Sequence, residues 1–335
     1  MELYPSYRVH RKLPVNYKTE DRQLFEHELE KEFPKIDLLV FNRVTAFPES
    51  YLIQGNKELT NVETRIHPQK NLRLIIKKIQ KKSIHIPQAV WIMDFYSANY
   101  FSESSNYFHW LTEVLTRLYF AQKELAGVPI ILPSHLKKIE HVVKSLAAFS
   151  KTPIIWLNKN EKAEVKQLYY IPHTAPYGNY NEEILREVRE ILRNYFQLKQ
   201  DPKLNIFISR EIAPRRKIIN WGTLQSLLNQ KQIIPVIFET LDWQQQIQLS
   251  STTKFLICVH GAGLTNMFFL PPDSHVLELK RRGDKINNCY FSLASALNLS
   301  YYYLLCDVDD ENKRTQENDF FVNQEELEDI INSII

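Results

Sequence analysis

His109, Glu113 and Arg117 follow one another at four-residue intervals, the spacing that lines side chains along one stripe of an α-helix. Imidazole or carboxylate, once positioned, can take a proton from a hydroxyl, so the stripe is an acid/base candidate. Glu113 and His109 are equally suited to that role. The plainer alternative is a helix-surface ion pair of Glu113 with Arg117 beside a packed His109. A second constellation lies in residues 255–279, which read as strand, glycine turn, short helix and second strand. The turn is His260-Gly261-Ala262-Gly263-Leu264-Thr265-Asn266. The whole chain has only seven glycines, so two within three residues mark a constrained backbone. Glycines at the start of a helix expose backbone N–H groups where the helix dipole favours negative charge, which suits a phosphate.

Arg210 ends a strand, and Arg215, Arg216 and Lys217 follow a turn at Pro214, so these cations can converge on the carboxyl edge of a sheet. Their natural partner is a diphosphate, which arginine meets in bidentate fashion. His260 could touch the phosphates or the sugar attached to them, and Thr265 and Asn266 are either ligand contacts or caps. Glu278 closes the second strand, where a carboxylate can receive ribose hydroxyls; a surface carboxylate paired with Lys280 is the alternative. Asp307-Val308-Asp309 has the spacing of a metal-diphosphate motif but opens an acidic loop and reads as solvated.

Other uses of the glycine turn fit less well. A dinucleotide fingerprint wants a third glycine where Asn266 stands, a nucleophile elbow needs Gly-x-Ser-x-Gly, and a Walker loop needs a lysine after its glycine.

Elements that could position these groups alternate between strand and helix. Residues 36–41 and 89–94 read as strands, and a helix capped by Ser104 or Ser105 runs to about Gly127. Strands at 128–132, 153–157 and 165–171 and a helix at 133–149 complete a first α/β domain, residues 1–172. Its first thirty-five residues read as an irregular cover, helical only over 20–33. A proline- and glycine-rich linker at about 173–181 leads to a second domain, 182–335. There a long helix ends near Phe196, strands fall at 204–209, 233–238 and 301–306, and helices at 221–229, 243–251, 287–297 and 324–334 surround the central stretch.

With 335 residues, 44% hydrophobic and 24% charged, the chain has the composition of a soluble two-domain globular protein. A net charge of +3 is too small to argue for nucleic acid. Lysines 77, 78, 81 and 82 form a local cluster that reads as a solvated face, with an anionic membrane surface as the minor reading. A further cluster spans 280–282. Cys258, Cys289 and Cys306 lack metal-ligand spacing and fit a reducing cytoplasm. Neither a signal peptide nor a membrane-spanning stretch is visible in the sequence.

Residues 259–279 (VHGAGLTNMFFLPPDSHVLEL) resemble the signature of glycosyltransferase family 61. The block from Asn106 through His109, Trp110, Glu113 and Arg117 resembles that family's His-Trp helix, and Ile208 to Arg210 with Arg215, Arg216, Lys217 and Asn220 resembles its basic block. Trp221 and Gln245 depart from the pattern, which has glutamate at both places. The resemblance implies a GT-B-like architecture, two Rossmann-like domains facing each other across a cleft, with the acceptor side first and the nucleotide-sugar side second. It further implies an inverting, metal-independent transfer from a nucleotide-sugar donor, a UDP-sugar first, to a glycan or lipid-linked glycan acceptor of a growing surface polysaccharide. The nucleotide-sugar is then a substrate and no cofactor or metal is expected. On this reading Glu113 and His109 are catalytic, Asn106 and Arg117 position substrate, and the basic block and residues 260–266 hold the donor phosphates. A cytoplasmic enzyme of the bacterial capsule type, touching the inner membrane face at most peripherally, is the expected setting. The rivals are an NAD-type oxidoreductase and a catalytically inactive binding protein of the same fold.

Overall fold

The structure is a computed structural model and describes residues 1–55, 57–59, 80–93 and 105–335. The chain divides into two α/β units, Met1–Tyr7 with Phe33–Ala175, and Arg8–Glu32 with Pro176–Ile335. The segment Arg8–Glu32, read from the sequence as part of residues 1–172, therefore packs with the second unit.

The first unit is built on a seven-stranded sheet. Across it lie Ile154–Leu157, Ile130–Pro133, Lys82–Trp91 and Glu161–Tyr170, all parallel, then Leu39–Phe47, Tyr51–Gln54 and Lys57–Glu58, antiparallel. The resemblance implied a Rossmann-like domain here, and the antiparallel half of the sheet departs from that. The connection from Phe47 to Tyr51 is too short for a crossover helix, so these two strands can only form a hairpin. Glu161–Tyr170 buries Ala163 and Val165 and then, with the pattern shifted by one residue, Leu168 and Tyr170. Ser104 and Asp94 lie outside the described residues. The next helix starts from Asn106, whose side chain accepts from the N–H groups of Phe108 and His109.

The second unit carries five parallel strands in the order Ile234–Val236, Leu204–Ile208, Thr253–Val259, His275–Arg281, Ser300–Val308, with Phe320–Phe321 antiparallel at the edge. The first strand in sequence, Leu204–Ile208, has the second on one side and the third on the other. Strand order thus reverses between Leu204–Ile208 and Thr253–Val259, and in open parallel sheets ligands bind outside the carboxyl ends at such a switch point. Helices Trp221–Gln230 and Gln324–Asn332 bury Leu224, Leu227, Leu228, Leu327 and Ile331 against one face with Phe207, Phe255 and Ile257. Helix Glu182–Phe196 packs against Cys289–Ala296 and the 3-10 helix Ala262–Phe269. Three of its arginines hold carbonyls at the ends of these neighbours. Arg186 Nε donates to Ala296 O at 2.7 Å, Arg189 Nη1 to Leu297 O at 3.1 Å, and Arg193 Nη2 to Leu270 O. Last-turn carbonyls that have no intrahelical donor are thereby satisfied.

The N-terminal segment borders the strand Ser300–Val308. Val15 N donates to Tyr301 O, and the Asn16 amide bonds both the N–H and the carbonyl of Tyr303. A strand flank that would otherwise expose ladder groups is so covered. Phe25, fully buried, packs its ring 4.8 Å from that of Tyr303 and 5.2 Å from that of Phe291.

Candidate functional site

Two clusters of buried polar side chains stand out, one in each unit. In the second unit the cluster forms at the switch point. Leu204–Ile208 gives way to the loop carrying Arg210–Arg216, and Thr253–Val259 to His260 and the glycine turn. Arg216 takes a left-handed backbone conformation, φ 60°, uncommon for a residue with a side chain. Its Nη1 donates to His260 O at 2.9 Å. Burial, and then the nearby Arg210, push its guanidinium below the usual arginine range. Among the described residues no carboxylate pairs with Arg216, and its buried Nε meets no acceptor. A cation half withdrawn from water without a counter-charge is disfavoured, and an anion arriving here would supply one.

Both glycines of the turn have steric reasons for being there. A Cβ on Gly261 would run into Arg216 Nη1 and lie 3.0 Å from its Cζ. A Cβ on Gly263 would lie 3.1 Å from Cys258 Sγ and 3.3 Å from Ile208 Cγ2, where the 3-10 helix starts against the sheet. Ala262 is exposed, whereas Leu264, Thr265 and Asn266 are buried, and the Asn266 amide donates to Gly263 O at 3.1 Å. Asn266, expected as a phosphate contact, therefore braces the turn from within, and Thr265, expected in the same role, is fully buried beside it.

His260 Nδ1 lies 2.5 Å from Glu278 Oε1, and the Tyr301 hydroxyl donates to Glu278 Oε2 at 2.6 Å. Burial pushes Glu278 up, but His260, Lys280 and the Tyr301 hydroxyl outweigh it and hold the carboxyl below the usual range. An ionised carboxylate only accepts, so Nδ1 carries the proton in this bond and Nε2 is left for other work. Glu278 was expected at the edge, receiving ribose hydroxyls; it is fully buried and both its oxygens are taken. Lys280 is buried too and donates to Asn287 O at 2.7 Å rather than pairing on the surface. The Tyr290 ring stands edge-on to the His260 ring, 5.1 Å between centroids.

The other basic residues are more peripheral. Arg210 Nε donates to Arg215 O at 3.2 Å and its Nη1 lies 3.7 Å from Glu239 Oε1. Arg215 is exposed, 4.0 Å from Glu317, and Lys217 is exposed with its N–H on Asp319. Asp307 and Asp309 pair with Arg282 and Lys313, as a solvated loop requires. Among the described residues no group of three or more His, Cys, Asp or Glu side chains is arranged to hold a metal ion.

In the first unit the helix is interrupted. Tyr107–His109 is α-helical, Trp110–Val114 is a π-helix, and Leu115–Glu124 returns to α. Such wide turns recur at functional sites. His109 Nδ1 lies 2.9 Å from Glu113 Oε1, and His173 Nδ1 lies 3.7 Å from Glu113 Oε2, so the carboxylate stands between two imidazoles. Arg117 does not join them. It is fully buried and donates from Nε to the backbone oxygen of Glu113 at 3.0 Å, an oxygen that also accepts from Thr116 Oγ1 at 3.0 Å. The π segment rotates the residues after it, so the expected stripe of three is broken after the second member. Neither substrate positioning by Arg117 nor a surface ion pair describes this helix; Arg117 supports the turn that carries Glu113. Asn106 likewise spends its side-chain oxygen as a cap.

His173 and Thr174, at the end of the unit, read in the sequence only as linker. Thr174 Oγ1 donates to Thr116 Oγ1 at 3.1 Å, and Tyr7 donates to the Thr174 carbonyl at 3.1 Å, which seats the segment on the helix. A proline- and histidine-containing stretch is their only sequence signal. Tyr290 and Tyr301 gave none among seventeen tyrosines. Of the lysine cluster, Lys77 and Lys78 lie outside the described residues, and Lys81 is tied to Glu49 at 2.9 Å and to Lys159 O at 2.6 Å.

Both departures from the family pattern have structural explanations. Gln245 completes a capping box with Asp242, each side chain bonding the other's N–H at 2.9 Å, a place where glutamine and glutamate serve alike. Trp221 opens helix Trp221–Gln230 and packs its ring 5.4 Å from that of Phe207.

Comparison with known proteins bears directly on these clusters. The family profile described as Glycosyltransferase 61 matches residues 107–277, just over half of the chain, and takes in both Glu113 and the glycine turn. The EGF domain-specific O-linked N-acetylglucosamine transferase of Bos taurus is 32% identical over 104 residues, 30% of this chain and 19% of its own. Its counterpart in Drosophila melanogaster is 27% identical over 173 residues, 46% of this chain and 33% of its own. A beta-1,2-xylosyltransferase of Oryza sativa subsp. japonica, XAX1, is 25% identical over 231 residues, 60% of this chain and 40% of its own. The chain thus spans between about a fifth and two fifths of the length of these curated relatives. With the profile covering the helix of the first cluster and the turn of the second, the chain belongs to glycosyltransferase family 61.

Proposed function

We propose that this chain transfers a sugar from a nucleotide-sugar donor, a UDP-sugar, to a hydroxyl of a glycan or lipid-linked glycan, with inversion and without a metal. The observation that carries the reading is Arg216, a half-buried cation with no carboxylate partner among the described residues, lying against Gly261 at the switch point. Arg216 and His260 bear the charge of the departing diphosphate, together with the N–H groups of the exposed turn at Ala262 and Gly263. Glu113, or His109 beside it, takes the proton of the acceptor hydroxyl as its oxygen attacks the anomeric carbon. The bond from that carbon to the donor phosphate breaks on the opposite face, and the nucleoside diphosphate leaves with the electron pair.

On this reading the two units are the acceptor and donor halves of a GT-B enzyme, the first unit holding the base and the second the nucleotide. Three free cysteines, two of them buried, suit a cytoplasmic setting. Among the described residues no helix is long and apolar enough to cross a membrane. The setting we favour is assembly of a surface polysaccharide, although the relatives named above come from animals and a plant. The oxidoreductase alternative rested on Gly261 and Gly263 alone, and Asn266 in place of a third glycine and membership of a transferase family weigh against it. The inactive-protein alternative rested on Trp221 and Gln245, both of which have structural roles.

The test is release of nucleoside diphosphate across a panel of nucleotide sugars, with and without EDTA, for wild type, Arg216→Ala and Glu113→Gln. We expect release that survives EDTA, loss of donor binding in Arg216→Ala, and loss of turnover with donor binding retained in Glu113→Gln. A wild-type protein that binds no sugar nucleotide would overturn the reading.

A further inference from the structure

Two residues beyond the Leu279 carbonyl that accepts from His260 N, the chain enters a second feature of the same carboxyl edge. The loops that follow His275–Arg281 and Ser300–Val308 border an open cavity of about 520 Å³, within the range of about 300–1,000 Å³ that holds small ligands. Its walls are fixed from inside. Asp284, buried, accepts from the N–H groups of Ile286 and Asn287 and from Asn287 Nδ2 on one wall, and from Thr315 Oγ1 at 2.8 Å on the other. Arg281 holds the facing loop by donating to the carbonyls of Glu311 and Lys313.

The groups left at the mouth are cationic: Arg282, Lys285 and Arg314, all exposed, with Arg281 behind them. Arg282 pairs with Asp307 and Arg314 with Glu317, whereas Lys285 bonds the neutral Gln23 amide and Arg281 bonds carbonyls and an amide. Within the lining four cations face one carboxylate, Asp284, whose oxygens are both engaged by the walls, and the acids of the facing loop, Asp309, Asp310 and Glu311, lie outside it. Positive charge held on a rigid pocket attracts and orients an anion. Lys280 to Arg282, a basic cluster with no role in the proposed transfer, contributes two of these cations.

We propose that this cavity is a subsite for an anionic sugar of the acceptor, one bearing a carboxylate or a phosphate. The inference rests on the proposed transfer: the anion of the donor is its diphosphate, assigned to Arg216 and the glycine turn, so a second cation-lined pocket serves the second reactant. The exposed Ile286 side chain on the rim offers an apolar surface to the face of a sugar ring.

Binding of three probes to the full chain tests it by calorimetry: a trimer of galacturonic acid, the neutral galactose trimer, and glucose 6-phosphate, each with and without saturating UDP. Wild type should bind one or both charged probes with UDP present, and the neutral trimer at least about tenfold more weakly, a difference of about 1.4 kcal/mol. Which charged probe binds tighter tells carboxylate from phosphate. Lys285→Glu and Arg314→Glu should each abolish the preference for charge. Lys254→Glu, which removes an exposed cation at the amino end of Thr253–Val259, should leave it intact. Displacement of the charged probe by UDP would assign the cavity to the donor and overturn the proposal, as would equal binding of the neutral trimer or no effect of the two mouth variants. Failure of UDP and of every other nucleoside diphosphate to bind would instead sink the transferase reading on which it rests.

Discussion

Glu278 shows how far a single residue can differ from its sequence reading. It looked like a strand-end carboxylate because only Leu279 separates it from Lys280 and Arg281, and charged residues ordinarily mark the end of a buried strand. The strand in fact runs on to Arg281, with Lys280 buried, so Glu278 lies inside the sheet opposite Cys258. His260, Lys280 and Tyr301 overcome the burial that would raise its pKa, and the folded value is depressed. A depressed folded pKa gives stability that is present above the unfolded value, about 4.3, and lost as pH falls through the folded value. Glu278→Gln should therefore cost about 3–5 kcal/mol at pH 7, the range for breaking a buried pair, and progressively less in acid below about pH 4. Urea midpoints across a pH series would measure this. A gap between variant and wild type that is the same at every pH would mean that shape, not the ion pair, is what the variant loses. The cations and the glycines of the donor-side cluster were legible as types; that Gly261 exists to admit the Arg216 guanidinium was not, because the two are forty-five residues apart in sequence and meet only through the sheet.

At the scale of elements, nearly every strand and helix of the second unit was readable, because parallel strands covered on both faces are continuous apolar runs bounded by turns. What periodicity could not show was the winding of the helix at Trp110–Val114. Four-residue spacing looks the same in sequence whether a turn is α or π, yet the wider turn sends Arg117 into the interior to the Glu113 carbonyl. Thr112, Thr116 and Arg117 bond the carbonyls of Phe108, Thr112 and Glu113, so side chains help to hold the local backbone of this segment. Arg117 is thus a positioning residue for Glu113. Arg117→Met keeps the length of the side chain and removes the bond; stability should fall by about 1.5–3 kcal/mol, the worth of a hydrogen bond from a charged group. Turnover should fall with the KM for donor unchanged, since the cluster proposed to hold the donor belongs to the other unit. An equal rise in donor KM would show that the substitution acts through general loosening. Rescue of stability without rescue of turnover, by a second stabilising change elsewhere, would set the local role apart.

For the whole molecule, the informative feature is the path of the chain. It begins in the first unit, spends residues 8–32 in the second, returns from Phe33, and leaves again after Ala175. The last crossing was visible as a run of proline, glycine and asparagine. The first two were not, because the N-terminal residues are mixed and charged, and their attachment depends on a few groups: Val15 and Asn16 on the backbone of Ser300–Val308, Arg11 on Asn179, and Phe25 among Phe291, Tyr301 and Tyr303. Phe25 is the anchor with the largest apolar surface, and Tyr301 beside it is also the residue that holds Glu278. Phe25→Ala should then destabilise the second unit by about 3–5 kcal/mol. Amide exchange should quicken in Ser300–Val308 and in the neighbouring His275–Arg281, while Glu161–Tyr170 in the first unit keeps its protection. Because Tyr301 loses a packing partner, the donor cluster should feel the change as well, with weaker binding of nucleoside diphosphate although no residue touching it has been altered. Exchange that quickens equally in both sheets would show that the N-terminal segment supports the molecule as one cooperative whole rather than the second unit alone.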